Sequence, residues 1–183
     1  DSLRVQGSSG TIDGGAGDDT IEISGFDSAA YQIEATGGDG NDTFLVNFLG
    51  NSASTVRLSG GAGVDTCRPG TVLAGTTAYV NDFQAGAGGD IVDIMSLVAP
   101  SPSNPFAPGG NAQLIQRGAD TVLQARVGRD SGAAFADALV LRNVDKSTLT
   151  AQNFSYGFNP DGSATGQTLV GTDGRDQLEG GWL

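Results

Sequence analysis

The sequence predicts an all-β fold, a solenoid of stacked parallel coils followed by a β cap. Three observations predict it. First, a nine-residue glycine/aspartate phrase recurs: Gly14-Gly15-Ala16-Gly17-Asp18-Asp19-Thr20-Ile21-Glu22, then residues 37–45, 60–68 and, with Ala85 in the first glycine slot, 85–93. The steps are 23, 23 and 25 residues, and a fixed period of this size is the mark of a repeat architecture. Second, aligning the copies gives apolar columns: Ile21, Phe44, Cys67 and Val92, then Ile23, Val46 and Ile94, broken by Pro69. Alternating apolar and polar residues describe strands with one buried face, and such a face is covered only when neighbouring coils stack. Third, the acids follow the repeats. Residues 1–93 hold 13 acids and 3 bases, residues 94–183 hold 8 and 6, and the whole chain carries a formal charge of −12.

Along the chain, residues 1–13 predict an incomplete first coil, with Leu3-Arg4-Val5 a short strand. Residues 14–94 are the repeat block. The first six residues of each phrase predict a turn and the last three open a strand. The other half of each coil is a longer strand with few glycines, such as residues 31–35 or Val56-Arg57-Leu58. Ile12, Ala35, Leu58 and Phe83, each two positions before a phrase, predict a further column, and Ile33 and Val56 another. The far-edge turns around Gly25 to Ser28 and Gly50 to Ser52 carry no repeating ligand pattern, and Asp27 reads as a solvated residue. Residues 99–111 are a Pro/Ser/Asn/Gly loop in which Phe106 reads as an anchor. Residues 113–127 predict a hairpin around Gly118-Ala119-Asp120, residues 138–144 another strand, and residues 145–154 a segment with one helical turn. Asp120 and Asp145 read as turn residues. Residues 171–179 are a degenerate fifth copy and Gly180-Gly181 would open a sixth. The expected boundaries are therefore 1–98 for the solenoid, 99–160 for the cap and 161–183 for a renewed repeat block, and the chain reads as one stretch of a longer array.

The residue types point to cation chemistry. Glycine lets the backbone approach an ion closely, and carbonyls and carboxylates are hard oxygen donors. Coils about 4.8 Å apart would stack Asp19, Asp42, Asp65 and Asp90 into one column of like charge, which repels itself unless a cation lies between adjacent turns. Asp82 reads as either a further ligand or a turn former. With no histidine and one cysteine, His-based triads, most transition-metal sites and an internal disulfide are excluded. Cys67 occupies an apolar slot and reads as a small buried hydrophobe. Nucleic acid and anionic membrane are disfavoured electrostatically, and no apolar run approaches the ~18 residues of a membrane span.

The phrase fits G-G-x-G-x-D-x-U-x, U being a large apolar residue, and so resembles the calcium-binding repeat of RTX (hemolysin-type) proteins. The run Val80-Asn81-Asp82-Phe83 with residues 90–94 resembles the boundary where such rolls join the cap of serralysin-type proteases and alginate-epimerase R-modules. The resemblance covers residues 10–154 and 171–181. It implies a right-handed parallel β-roll stacked on a β-sandwich-like cap. It implies calcium held between adjacent coils by each motif aspartate and by main-chain oxygens of the glycine and x positions. Carried onto this chain, the ligands are Gly15, Gly17 and Asp19; Gly37, Gly38, Asp39, Gly40 and Asp42; Gly60, Gly61, Ala62, Gly63 and Asp65; and Ala85, Ala87 and Asp90. Three gaps imply about three ions. Ala85 and the 25-residue step are the departures.

The resemblance further implies export through a type I channel and folding outside the cell, where calcium is millimolar. The first functional expectation is a structural calcium-binding module of a large secreted or surface protein, of adhesin, toxin or surface-layer type. The alternative is an accessory module of a secreted protease, lipase or epimerase whose catalytic domain lies elsewhere. Expected partners are calcium, neighbouring repeat modules, and a surface or saccharide target of the parent protein. The chain itself is not expected to be an enzyme. Its acids cluster in ligand slots, and 8 Phe, 3 Tyr and 1 Trp form no aromatic-rich stretch, so Tyr156 and Trp182 are thin grounds for sugar binding.

Overall fold

The computed structural model describes residues 1–6, 9–25, 30–48, 54–70, 77–98, 104–127 and 132–164. The expectations for Asp27, for Gly50 to Ser52, for the start of the 99–111 loop and for the fifth and sixth copies lie outside them.

Two sheets face each other across the core. One runs β1 (Ser2–Gln6), β3 (Thr20–Gly25), β5 (Thr43–Phe48), β7 (Thr66–Pro69), β9 (Ile91–Val92), all parallel. The other begins with β2 (Gly10–Ala16), β4 (Gln32–Asp39), β6 (Thr55–Ala62) and β8 (Thr77–Val80), again parallel. Each coil gives one strand to each sheet, and each glycine phrase is the turn between them. This is the parallel β-roll. Alternation along the strands fills its interior. Ile21, Phe44, Cys67 and Val92 share one register row, and Ile23 and Val46 another that Pro69 continues. From the facing sheet come Ile33, Val56 and Ala78, then Ile12, Ala35, Leu58 and Val80. All of these except Ile12 are buried. Each such side chain stabilises the fold by about 1.5–3 kcal/mol if large and fully covered.

One predicted column is corrected. Val80, not Phe83, pairs with Leu58. The step from Leu58 to Val80 is 22 residues, while that from Gly60 to Ala85 is 25, so three extra residues lie between strand and turn in the fourth coil. Phe83 is still buried, but in that insertion.

The cap does not start a separate sheet. β12 (Phe135–Leu141) pairs parallel to β8, and the antiparallel strands β11 (Asp120–Arg126) and β10 (Ala112–Arg117) extend the same sheet to seven strands. The predicted hairpin is present. The third cap strand ends at Leu141, short of the expected 144, because Asn143 turns left-handed with φ 55° and donates its N–H to Asp120 Oδ1 (2.9 Å). Under this sheet lie three single 3-10 turns at Lys146–Thr148, Ala151–Asn153 and Ser155–Gly157. Asp145 opens the first of them as a turn residue, accepting from the Ser147 N–H at 2.8 Å. Phe154 bridges Val92 in parallel register, so it is a fifth member of the Ile21 column. Phe106 packs edge-on against it, with ring centroids 4.9 Å apart at 67°, and so anchors its loop.

Candidate metal centre

The glycine turns stack with their phrases in register. Gly38 and Gly40 have φ 116° and 139°, values a side chain resists. The carbonyl oxygens of Gly15 and Gly17 lie against their α-carbons. The same holds one coil later, with Gly38 and Gly40 carbonyls against Gly61 and Gly63. Main-chain bonds lock the stack. Gly17 N–H donates to Asp39 O (2.7 Å) and Gly40 N–H to Ala62 O (2.8 Å).

The motif aspartates form a ladder. From the second coil on, each accepts through one oxygen from the backbone N–H of the aspartate one coil earlier: Asp19 N–H donates to Asp42 Oδ1 (2.8 Å), Asp42 N–H to Asp65 Oδ1 (2.9 Å) and Asp65 N–H to Asp90 Oδ1 (3.0 Å). The amino nitrogen of Asp1 stands on the same rung, 2.6 Å from Asp19 Oδ1. The three N–H bonds align the carboxylates without neutralising them. Asp19 Oδ2, Asp42 Oδ2 and Asp65 Oδ2 are buried with no hydrogen-bond partner among the described residues. An orphaned buried acceptor costs about 1–3 kcal/mol, and more when charged. Burial pushes the Asp65 carboxyl up to about 6, the N–H of Asp42 opposing and the charges of Asp90, Asp42 and Asp82 adding to the rise. Burial also raises Asp90.

Each orphan oxygen faces a cradle that only glycine leaves open. A Cβ on Gly14 would sit 2.7 Å from Asp19 Oδ2 and 2.5 Å from the Gly37 carbonyl oxygen. A Cβ on Gly37 would collide with Asp42 Oδ2 and lie 2.7 Å from the Gly60 carbonyl oxygen. The first two gaps therefore contain a carboxylate oxygen from one coil and a carbonyl from the next, and the Gly15/Gly17 and Gly38/Gly40 carbonyls line the same stack of turns. Among the described residues no three His, Cys, Asp or Glu side chains gather, so a cation here would be held by at most two carboxylates per gap plus main-chain oxygens. That donor set fits a hard divalent ion.

The third gap is built differently. A Cβ on Gly60 would collide with Asp65 Oδ2, and its three nearest atoms all belong to the Asp65 side chain. The three-residue insertion precedes Ala85, and within it the Asp82 carboxylate accepts from Gly60 N–H (3.0 Å) and Gly61 N–H (3.1 Å), ending that strand ladder. Both Asp90 oxygens are used, Oδ2 by the Gln84 N–H at 2.7 Å. So the structure stacks the turn of Gly15, Gly17 and Asp19 on that of Gly37, Gly38, Asp39, Gly40 and Asp42, and the latter on that of Gly60, Gly61, Ala62, Gly63 and Asp65. Asp90 joins the third rung through the Asp65 N–H with both its oxygens engaged, and Ala85 and Ala87 take no part in that ladder. Ala85 goes with that bond: with Asp90 Oδ2 turned to Gln84, no oxygen needs the glycine's space.

Three features escape the motif. Position five carries a second ladder, Asn41 N–H to Asp18 Oδ1 (2.7 Å) and Val64 N–H to Asn41 Oδ1 (2.8 Å). The Asp/Asn identity at that slot is the signal for it. Asp93 staples roll to cap, taking Arg68 Nε at 2.6 Å and the Ser155 hydroxyl at 3.0 Å. Gln152 and Asn153 reach the fourth turn from the cap, where Asn153 Oδ1 accepts from Gly86 N–H (2.8 Å). Cys67 is buried and its thiol pushed up to about 12 by burial, which leaves it inert.

No protein-family model matches the chain, and no curated protein matches it. Among solved structures it is similar to the AlgE6R2 subunit of the Azotobacter vinelandii mannuronan C5-epimerase, with a TM-score of 0.52 and 21% identity over 86% of this chain and 93% of that one. The AlgE6R3 subunit of the same enzyme aligns at a TM-score of 0.37 and 19% identity, over 91% and 93%. The first likeness is one of fold.

Proposed function

We propose that this chain is a calcium-binding β-roll module and serves as a non-catalytic accessory part of a secreted enzyme. One observation carries the calcium reading: a column of buried carboxylate oxygens with no hydrogen-bond partner among the described residues, each beside a glycine cradle. Calcium takes six to eight oxygen ligands in a flexible shell, whereas magnesium demands a compact octahedron and keeps its waters. Gaps lined by main-chain carbonyls suit the first. The residues that would hold the ion are Asp19 with the Gly15, Gly17 and Gly37 carbonyls, and Asp42 with those of Gly38, Gly40 and Gly60. Bound there, calcium supplies the positive charge that the column lacks. The sequence implies about three ions; the paired carboxylate and carbonyl oxygens beside Gly14 and Gly37 support two of those sites most directly.

The accessory role ranked second in the sequence. What lifts it above the adhesin, toxin or surface-layer reading is that the similar solved chain is a subunit of an epimerase. The acids here serve ladders and turns, which supports a non-catalytic role. On this reading the module works outside the cell, with neighbouring repeat modules and a surface or saccharide target as partners. No helix among the described residues is long and apolar enough to cross a membrane.

The test is a calcium titration after exhaustive chelation, followed by far-UV circular dichroism and thermal unfolding. The expected result is a gain of β structure and of Tm with a midpoint near 10⁻⁴–10⁻³ M, the range of extracellular calcium modules. A chain equally folded and equally heat-stable in excess chelator sinks the proposal.

A further inference from the structure

The column of aspartates ends in amides. Val92 pairs with Phe154 in parallel register, which aligns Ile91 with Asn153 and Asp90 with Gln152. Segment 152–154 thus occupies the place of a fifth coil, with Gln-Asn-Phe where the others read Asp-Thr-Ile, Asp-Thr-Phe, Asp-Thr-Cys and Asp-Ile-Val. Its bonds copy those of a coil. In the first two coils the N–H of the glycine at position four donates to the next coil's main chain; here Gly88 N–H donates to Gln152 Oε1 (3.3 Å). The carbonyl of each motif aspartate accepts a main-chain N–H from the coil above; here Asp90 O accepts from Asn153 Nδ2 (2.9 Å). The same Nδ2 donates to Gly86 O (3.0 Å). Gly86 holds the slot of Gly15 and Gly38, whose carbonyls line the cation gaps. Asn153 is fully buried, and its Oδ1 also takes the Thr150 N–H at 3.0 Å.

We propose that the Asn153 amide fills the space a cation would take above the fourth turn, and that this residue sets where the ion column stops. The inference rests on the calcium reading above. An NH₂ group offers positive hydrogens to two carbonyl oxygens without carrying a net charge, and it needs no ion. An aspartate at this position would instead aim a carboxylate oxygen at two carbonyls. Those are three hard donors of one polarity, and a divalent ion relieves their repulsion.

The experiment counts calcium bound to the intact chain by isothermal titration, with far-UV circular dichroism reporting the fold, for the wild type, Asp42→Asn, Asp90→Asn and Asn153→Asp. The expected results are one ion lost in Asp42→Asn, the wild-type number in Asp90→Asn, and one ion gained in Asn153→Asp. Loss of an ion in Asp90→Asn overturns this inference while leaving the calcium reading intact. So does a folded Asn153→Asp that binds no more than the wild type. Should Asn153→Asp fail to fold, the Asp90→Asn count decides alone, taken under conditions where circular dichroism shows that variant folded, since an asparagine there keeps an oxygen for the Asp65 N–H and gives up only the acceptor of the Gln84 N–H. A wild type that binds no calcium overturns both.

Discussion

At the scale of the residue, the first glycine of each phrase is held by what stands beside it. Gly37→Ala drives a methyl group into Asp42 Oδ2 and toward the Gly60 carbonyl, the two oxygens that would share an ion. The expected effect is a calcium midpoint raised tenfold or more, about 1.4 kcal/mol at least, read by circular dichroism. Gly10→Ala is the matched control. A Cβ there meets nothing within 4 Å, and the midpoint stays where it was. Equal shifts in both variants would show that Gly37 matters only as flexible backbone. This contrast is partly legible in the sequence, because a repeated glycine marks a required absence of side chain. Which oxygen fills the space is not, since that depends on the coil above. Asn153 shows the other limit. Nothing local distinguishes an amide that replaces an ion from an ordinary helix-capping residue, and the difference lies in two carbonyls more than sixty residues away.

At the scale of the element, each strand is held by its neighbours in register and each ladder must be ended. Asp82 ends one of them. Asp82→Ala strands the Gly60 and Gly61 N–H groups, and urea unfolding in saturating calcium should show a loss of about 2–3 kcal/mol with the ion count unchanged. A lost ion in that variant would make Asp82 a ligand, the other reading its sequence leaves open. Phe154 closes the apolar column against Phe106. Phe154→Ala should cost about 3–5 kcal/mol, measured by thermal unfolding in calcium. The strands of the roll were legible because period and alternation agree over three coils. The register of the fourth was not. The phrase still starts cleanly at Ala85, but three residues inserted before it detach turn from strand, and a motif records only the turn. The cap's strands were found and their sheet was not, because pairing between β8 and β12 spans some sixty residues with no repeat to announce it.

At the scale of the whole molecule, charge and metal are unevenly placed. Among the described residues the orphaned buried carboxylate oxygens belong to the first three coils, and none lies in the fourth turn or the cap. Amide hydrogen exchange in chelator should therefore lose protection across β2, β4 and β6 before it does across β10, β11 and β12. Uniform loss would mean that the two parts unfold as one unit. The Arg117–Asp137 pair on the cap, with Nη1 to Oδ2 at 2.7 Å, is exposed and adds little to this balance. The two ends of the sheet also differ in kind. Parallel strands β2, β4, β6 and β8 meet antiparallel strands at one end only. A duplicated block of 23 residues can be spliced between two existing coils of the roll, since each presents the same register to the next. It cannot be spliced into β10–β12, where reversing direction would break the pairing. Gene duplication can therefore lengthen this molecule in whole rungs, each adding its own aspartate, while the terminus that halts growth is inherited unchanged.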